Sequence, residues 1–134
     1  MRLVHEPDET IGDEGSRPDA RVLATDVEVA ESTLTQALGL MFRSGVPDEY
    51  ALVLDVDGSG GLFSFGDGPP RQFVHMLCMR FPIDVLWLAD DEVVAKKRLR
   101  PWRGMGVARA DTIVELPAGA ADAVSPGDTV RREA

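Results

Sequence analysis

Cysteine occurs once in this chain, as Cys78. A single thiol excludes an internal disulfide and any CxxC metal cage. Histidine is confined to His5 and His75, too few for a histidine-based zinc set, which needs three or four ligands. Lysine is confined to Lys96 and Lys97. No apolar run approaches the roughly 18 residues of a membrane-spanning helix. The N-terminal stretch MRLVHEPDETIGDEG has no apolar core, so no secretory signal is expected there. The glycine-rich pieces DGSGG and GDGPPR lack the lysine of a phosphate-binding loop and do not open a helix, so they are expected as turns. These absences point to a soluble cytoplasmic protein with no membrane contact.

What is present is one domain's worth of chain with a strong charge bias. The 134 residues are 44% hydrophobic. A chain of this length buries roughly two thirds of its unfolded surface around one core. Acidic residues number 23 against 14 basic ones, for a net charge of −9. Self-repulsion at that charge destabilises a compact state unless salt screens it, which makes a salty cytoplasm the sharper reading and an ordinary acidic protein the plainer one. Nucleic acid is a poor partner, because phosphate binding requires net positive neutralisation and weakens steeply with salt.

The chain divides at about residue 20. Residues 1–20 carry Pro7, Gly12, Gly15 and Pro18 with little periodicity, and a flexible acidic tail is expected there. Residues 21–134 are expected to form a single β domain. VLATDVEV and YALVLDV read as strands. Thr33 and Gln36 make a capping-box pattern, and Leu34, Ala37, Leu38 and Met41 mark one face of a short helix. IDVLWLA and VVAKKRLR flank ADDE as a hairpin, PWRGMGVARAD is expected as loop, and TIVEL and TVRR as strands. SPGD places Pro126 and Gly127 at the centre of a type II turn. With no repeat and no βαβ alternation, the expected fold is mainly β: an antiparallel sandwich or partly open barrel with one short α-helix.

Three segments carry a resemblance. They are Gly39-Leu40-Met41-Phe42-Arg43, the central FVHMLCMRFPIDVLWL from Phe73 to Leu88, and Val114-Glu115-Leu116-Pro117-Ala118-Gly119 with Gly127-Asp128. Together they resemble the family called domain of unknown function 192, over about residues 22–131. Met76, Pro82 and Asp84 match the family's usual central strand. His75 stands where that strand has tryptophan, Cys78 where it has asparagine, and Met79 where it has threonine. Residues Met79 to Asp84 with His75, and Leu99-Arg100-Pro101-Trp102-Arg103, look more like a second branch of the family. The resemblance implies a mainly-β, jelly-roll-like fold; it implies no activity, cofactor or catalytic residue.

The residues themselves offer a few candidates. His75 and Cys78 lie three apart, so a regular strand sends them to opposite faces and a direct Cys–His pair is not expected. Cys78 reads as a small packed hydrophobe. Asp84, between Ile83 and Val85, must meet backbone N–H groups or an arginine such as Arg80 or Arg100, and so ties the bend at Pro82 or faces a ligand. Lys96 to Arg109 holds six cations and no acid. Arginine forks suit carboxylate or phosphate, and Trp102 adds a stacking face. Pairing of these cations with Asp84, Asp90, Asp91 or Glu92 across the hairpin is the plainer alternative. The expected ligand site is therefore His75, Arg80, Asp84, Arg100, Trp102 and Arg103, taking a small anionic ligand. No cofactor, metal or catalytic set is assigned. A hydrolase-like enzyme using His75 or Asp84 as base, and an interaction protein without a pocket, stand as the other classes.

Overall fold

The computed structural model describes residues 1–7, 20–30, 45–55, 71–76 and 80–133. Ten strands run through them: β1 Arg2–Glu6, β2 Arg21–Ala24, β3 Asp26–Ala30, β4 Tyr50–Asp55, β5 Arg71–His75, β6 Ile83–Ala89, β7 Glu92–Leu99, β8 Met105–Arg109, β9 Thr112–Pro117 and β10 Thr129–Glu133. Eight form one sheet in the order β2-β1-β10-β7-β6-β9-β4-β3, and β5 pairs with β8 in a separate two-stranded ribbon.

The fold is mainly β, as expected. The helix expected near residues 33–41 lies outside the described residues, as do Cys78, Met79, DGSGG and most of GDGPPR. Among the described residues there is no helix. One expectation of an all-antiparallel sheet is corrected: β3 and β4 run parallel, Asp26 opposite Tyr50 through Ala30 opposite Leu54. Residues 31–49 connect them, and a parallel pair requires a connection of that order rather than a tight hairpin.

Two further expectations change. Within the expected tail, Arg2–Glu6 is an internal strand between β2 and β10, with Leu3, Val4 and His5 buried. The five residues RLVHE are too short to show a period, and their partners lie at the far end of the chain, Leu3 opposite Arg132 and His5 opposite Val130. Within PWRGMGVARAD, residues 105–109 form β8; its alternation is hidden by Gly106 and Ala108.

VLATDVEV is not one strand but two. Thr25 alone separates β2 from β3, and these are the two outermost strands of the sheet. The sheet therefore curls until its edges meet within one residue of chain. The core confirms which side is concave. One cluster draws Leu3 and Ala24 from one end of the strand order, Ala51 and Val53 from the other, and Leu86, Leu88, Val93, Val114, Leu116 and Val130 from between. β1 and β3, from opposite ends of the strand order, approach one another, which places this cluster inside the curl. The convex side carries Tyr50, Leu52, Leu54, Ile83, Val85, Trp87, Leu99 and Ile113, with Met76 and Ala110 at the margins of the β5–β8 ribbon packed onto it.

The hairpin from β6 to β7 turns at Asp90 and Asp91, both with φ above zero (50° and 66°) between the paired Ala89 and Glu92. That is the type I′ turn whose twist matches the flanking strands. Segment 118–128 folds into the concave side, where Ala121 and Val124 are fully buried. Its SPGD stretch forms the expected turn, with the Asp128 N–H donating to the Ser125 carbonyl at 3.0 Å and Gly127 at φ 98°.

Candidate functional site

Asp84 belongs to the concave side. Its side chain is almost completely buried, and one oxygen accepts from the backbone N–H groups of Gly119 and Ala121 at 2.9 and 3.1 Å. The other oxygen accepts from Arg98 Nε at 2.8 Å, and the same guanidinium reaches Asp122 at 2.6 Å. Paired with two carboxylates, the Arg98 guanidinium is held above its ordinary value, chiefly by the Asp84 hydrogen bond. The arginine that meets Asp84 is thus neither Arg80 nor Arg100, and the backbone it ties is the 118–128 segment rather than the bend at Pro82. Asp84 opposes Arg98 directly in the β6–β7 ladder, which is why a carboxylate can stand on that strand.

The other end of segment 118–128 is pinned in the same manner. Asp128 Oδ2 accepts from the Ser125 N–H at 2.9 Å and lies 2.7 Å from His5 Nε2, with both side chains buried. His5 Nδ1 has no hydrogen-bond partner among the described residues. Asp84, Gly119, Gly127 and Asp128, which carry the family resemblance, therefore converge on one structural unit, a plug fastened at both ends by buried carboxylates. Gly119 sits at φ 97° and Gly127 at φ 98°, a region that a Cβ disfavours.

The remaining expected site residues gather at the other end of the β6–β7 hairpin from its Asp90–Asp91 turn. Ile83 opposite Leu99 is the last pair of that ladder, so residues 80–82 and 100–104 leave the sheet side by side. Arg80, Arg100, Trp102 and Arg103 are all exposed, Trp102 to 54%. The loop that carries them is tightly held. The Trp102 N–H donates to the Met76 carbonyl at 3.1 Å, and the Met76 N–H donates to the Gly104 carbonyl at 2.9 Å. Gly104 donates back to the Arg100 carbonyl at 2.9 Å, and a Cβ there would stand 2.6 Å from the Arg100 nitrogen. The Arg103 N–H closes a three-residue turn onto the Pro101 carbonyl at 2.7 Å, with Trp102 at its centre at φ 66°. A bulky residue in the left-handed region is an outlier, and a three-residue turn of that hand is the strained one. His75 enters this neighbourhood through its backbone: it ends β5 opposite Met105, one residue before the Met76 that the loop grips.

The cross-hairpin pairing alternative is realised only in part. Arg98 takes Asp84, while Lys96 and Lys97 donate to the carbonyls of Ala121 and Met105 at 3.0 and 2.8 Å. Arg80, Arg100, Arg103 and Arg109 have no ion pair among the described residues. Beside them, β7 and β8 splay apart into a cleft of about 400 Å³ lined by Trp87, Ala95, Lys96, Lys97, Met105 and Val107. Gly106 lets the β8 backbone rest against the Trp87 indole at the cleft floor, since a Cβ there would stand 2.6 Å from Trp87 Cη2.

Glu115 is a titrating residue that the sequence reading passed over. It sits on β9 opposite Leu52 and Val85, on the apolar convex side, and burial pushes its carboxyl up to about 7. The motif VELPAG contains it, but only the strand parity of a known sheet shows that it points toward the apolar side. Nearby, the Tyr50 hydroxyl donates to Glu28 at 2.5 Å.

Comparisons with known proteins agree on the fold and are silent on chemistry. The model of the DUF192 family, described as uncharacterized ACR, matches residues 16–132. UPF0127 protein PH1112 of Pyrococcus horikoshii is 32% identical over 110 residues, covering 79% of this chain and 86% of that protein. A solved protein of unknown function from Novosphingobium aromaticivorans superposes with TM-score 0.71 at 21% identity, over 98% of this chain and 84% of that one. A candidate transcription regulator from Sinorhizobium meliloti superposes with TM-score 0.70 at 21% identity, over 97% and 92%. At that identity the two structures establish a shared fold alone.

Proposed function

This chain belongs to the uncharacterised DUF192 family, and we propose that it is a small-ligand-binding β module whose site takes an anion at the loop carrying Arg100, Trp102 and Arg103, with Arg80 and the end of β5 at His75 beside it. One observation carries this reading: a strained turn holds Trp102 half-exposed beside guanidiniums that have no carboxylate partner among the described residues. Strain of about 1–3 kcal/mol at one residue persists where the surrounding structure holds it in place, and such residues cluster at ligand sites. Free arginine forks match carboxylate or phosphate, and an indole face beside them offers stacking. Asp84 leaves this site, because its oxygens are committed to Arg98, Gly119 and Ala121. With Asp84 occupied, the hydrolase alternative loses that base and rests on His75 alone.

The test is a thermal-shift screen of carboxylates and phosphates in molar KCl. A ligand at a hundredfold excess over its Kd adds about 2.7 kcal/mol of stability. Stabilisation by an anion that vanishes in Arg100→Ala/Arg103→Ala supports the site; equal shifts in both proteins contradict it.

The charge balance supports a second, separate proposal, adaptation to a salty cytoplasm. At net −9, folding should strengthen between dilute buffer and molar KCl, where the screening length falls to about 3 Å. Equal circular dichroism and equal unfolding midpoints in the two would sink it. The curled sheet, with β2 and β3 adjacent in chain at its two edges, favours the partly open barrel over the sandwich.

A further inference from the structure

The arginine loop and the β7–β8 cleft are continuous along the chain, and each has what the other lacks. The loop offers cations and little apolar shelter. The cleft offers an apolar interior: the buried indole of Trp87 and Ala95 below, Met105 and Val107 at its side. Met105 is one residue past the Gly104 that closes the loop, and Lys97, two residues before Leu99, reaches across to the Met105 carbonyl at 2.8 Å. Lys97 lines this cleft on the convex side; Lys96 lines it as well, but its ammonium is turned to the Ala121 carbonyl on the concave side. Met105 and Val107 are exposed to 57% and 59%, next to the half-exposed Trp102. Met105 and Val107, two apart on β8, therefore share one strand face, and Trp102 lies three residues before Met105 in the chain. Gly106 lets β8 lie directly against the indole at the floor of the cleft, because any side chain there would run into Trp87.

We infer that the ligand of this site is a small anionic amphiphile, with its carboxylate or phosphate head at Arg100 and Arg103 and its apolar body along Trp102, Met105 and Val107 into the cleft over Trp87. This rests on the anion-site reading above and adds the apolar half of the ligand. Charge complementarity gives the sign of the head, since Arg100 and Arg103 have no ion pair among the described residues. The volume sets the scale: about 400 Å³ lies in the range of small-molecule pockets, at its lower end, where a folded partner would need a patch several times wider.

The experiment is a titration of the full chain with acetate, butyrate and octanoate at fixed ionic strength, followed by calorimetry and by thermal shift. Each methylene buried from water strengthens binding by about fourfold, so octanoate should bind at least tenfold tighter than acetate. Val107→Asn, an exposed position whose change leaves the core untouched, should bring octanoate to the acetate level while leaving acetate unchanged. Arg100→Ala/Arg103→Ala should abolish both. Equal affinity for acetate and octanoate would overturn the amphiphile and leave the anion site standing. Octanoate binding that survives Val107→Asn unchanged would also overturn it. Absence of binding by all three acids would overturn both readings.

Discussion

Replacing Glu115 by glutamine should make this protein more stable, and increasingly so as the pH rises. Glu115 occupies the convex side of β9 between Leu52 and Val85 in the strand ladders, and burial pushes its carboxyl from 4.5 to about 7. In the unfolded chain the carboxyl ionises near 4.5; in the fold it holds its proton to about 7. The folded state therefore binds the extra proton, and stability falls as pH rises between those two values. The full difference corresponds to about 3 kcal/mol at 1.36 kcal/mol for each pH unit, a ceiling because the half-buried side chain retains some water. Glutamine keeps the shape and removes the titration. Urea unfolding of both proteins in constant KCl, from pH 5 to pH 8, measures it. The stability advantage of Glu115→Gln should widen by about 2 kcal/mol across that range and level off above pH 8. Unequal m-values would mean the substitution changed the surface exposed on unfolding. An advantage that stays constant with pH, or shrinks, would refute the burial argument for Glu115.

Other perturbations probe other parts of the account. Asp84→Ala strands the Gly119 and Ala121 N–H groups and should cost about 3 kcal/mol in chemical denaturation, loosening segment 118–128 in hydrogen exchange before the rest. Trp102→Gly relieves the left-handed strain and should leave stability unchanged or raise it by about 1 kcal/mol, while the anion response weakens. A chain beginning at residue 8 loses β1, which lies inside the sheet, together with the His5–Asp128 pair, and should show no cooperative unfolding transition; a flexible tail would be dispensable.

Local signals made much of the sheet legible. The Asp90–Asp91 turn and the SPGD turn announced themselves because turn chemistry acts within four residues. Tyr50, Leu52 and Leu54 alternate onto one side, as the pattern YALVLDV requires. What escaped depends on pairing across long sequence separations. Nothing within RLVHE shows that it will lie against residues 129–133. Nor does VLATDVEV reveal that Thr25 divides it between two edges of one curled sheet. The candidate site was suggested by composition and not by geometry. The cluster of cations without acids pointed to Arg100, Trp102 and Arg103, and they do share a loop. Asp84 was expected to bind backbone or an arginine and does both; cross-hairpin pairing with one of the six cations was foreseen, but only the ladder register singles out Arg98 rather than Arg80 or Arg100. His5 and Glu115 were invisible for the same reason: burial of a single polar residue is decided by partners the local sequence does not contain.

The central claim is that the loop carrying Trp102 binds anions through unpaired arginines, and indole fluorescence reads it at the residue concerned. Trp87 is buried and Trp102 is half-exposed, so a ligand at the loop changes chiefly the second emission. Citrate is titrated at constant ionic strength into the protein and into Arg100→Ala/Arg103→Ala. The account predicts a saturable change in emission in the first and none in the second. No change in either protein, or the same change in both, would contradict it.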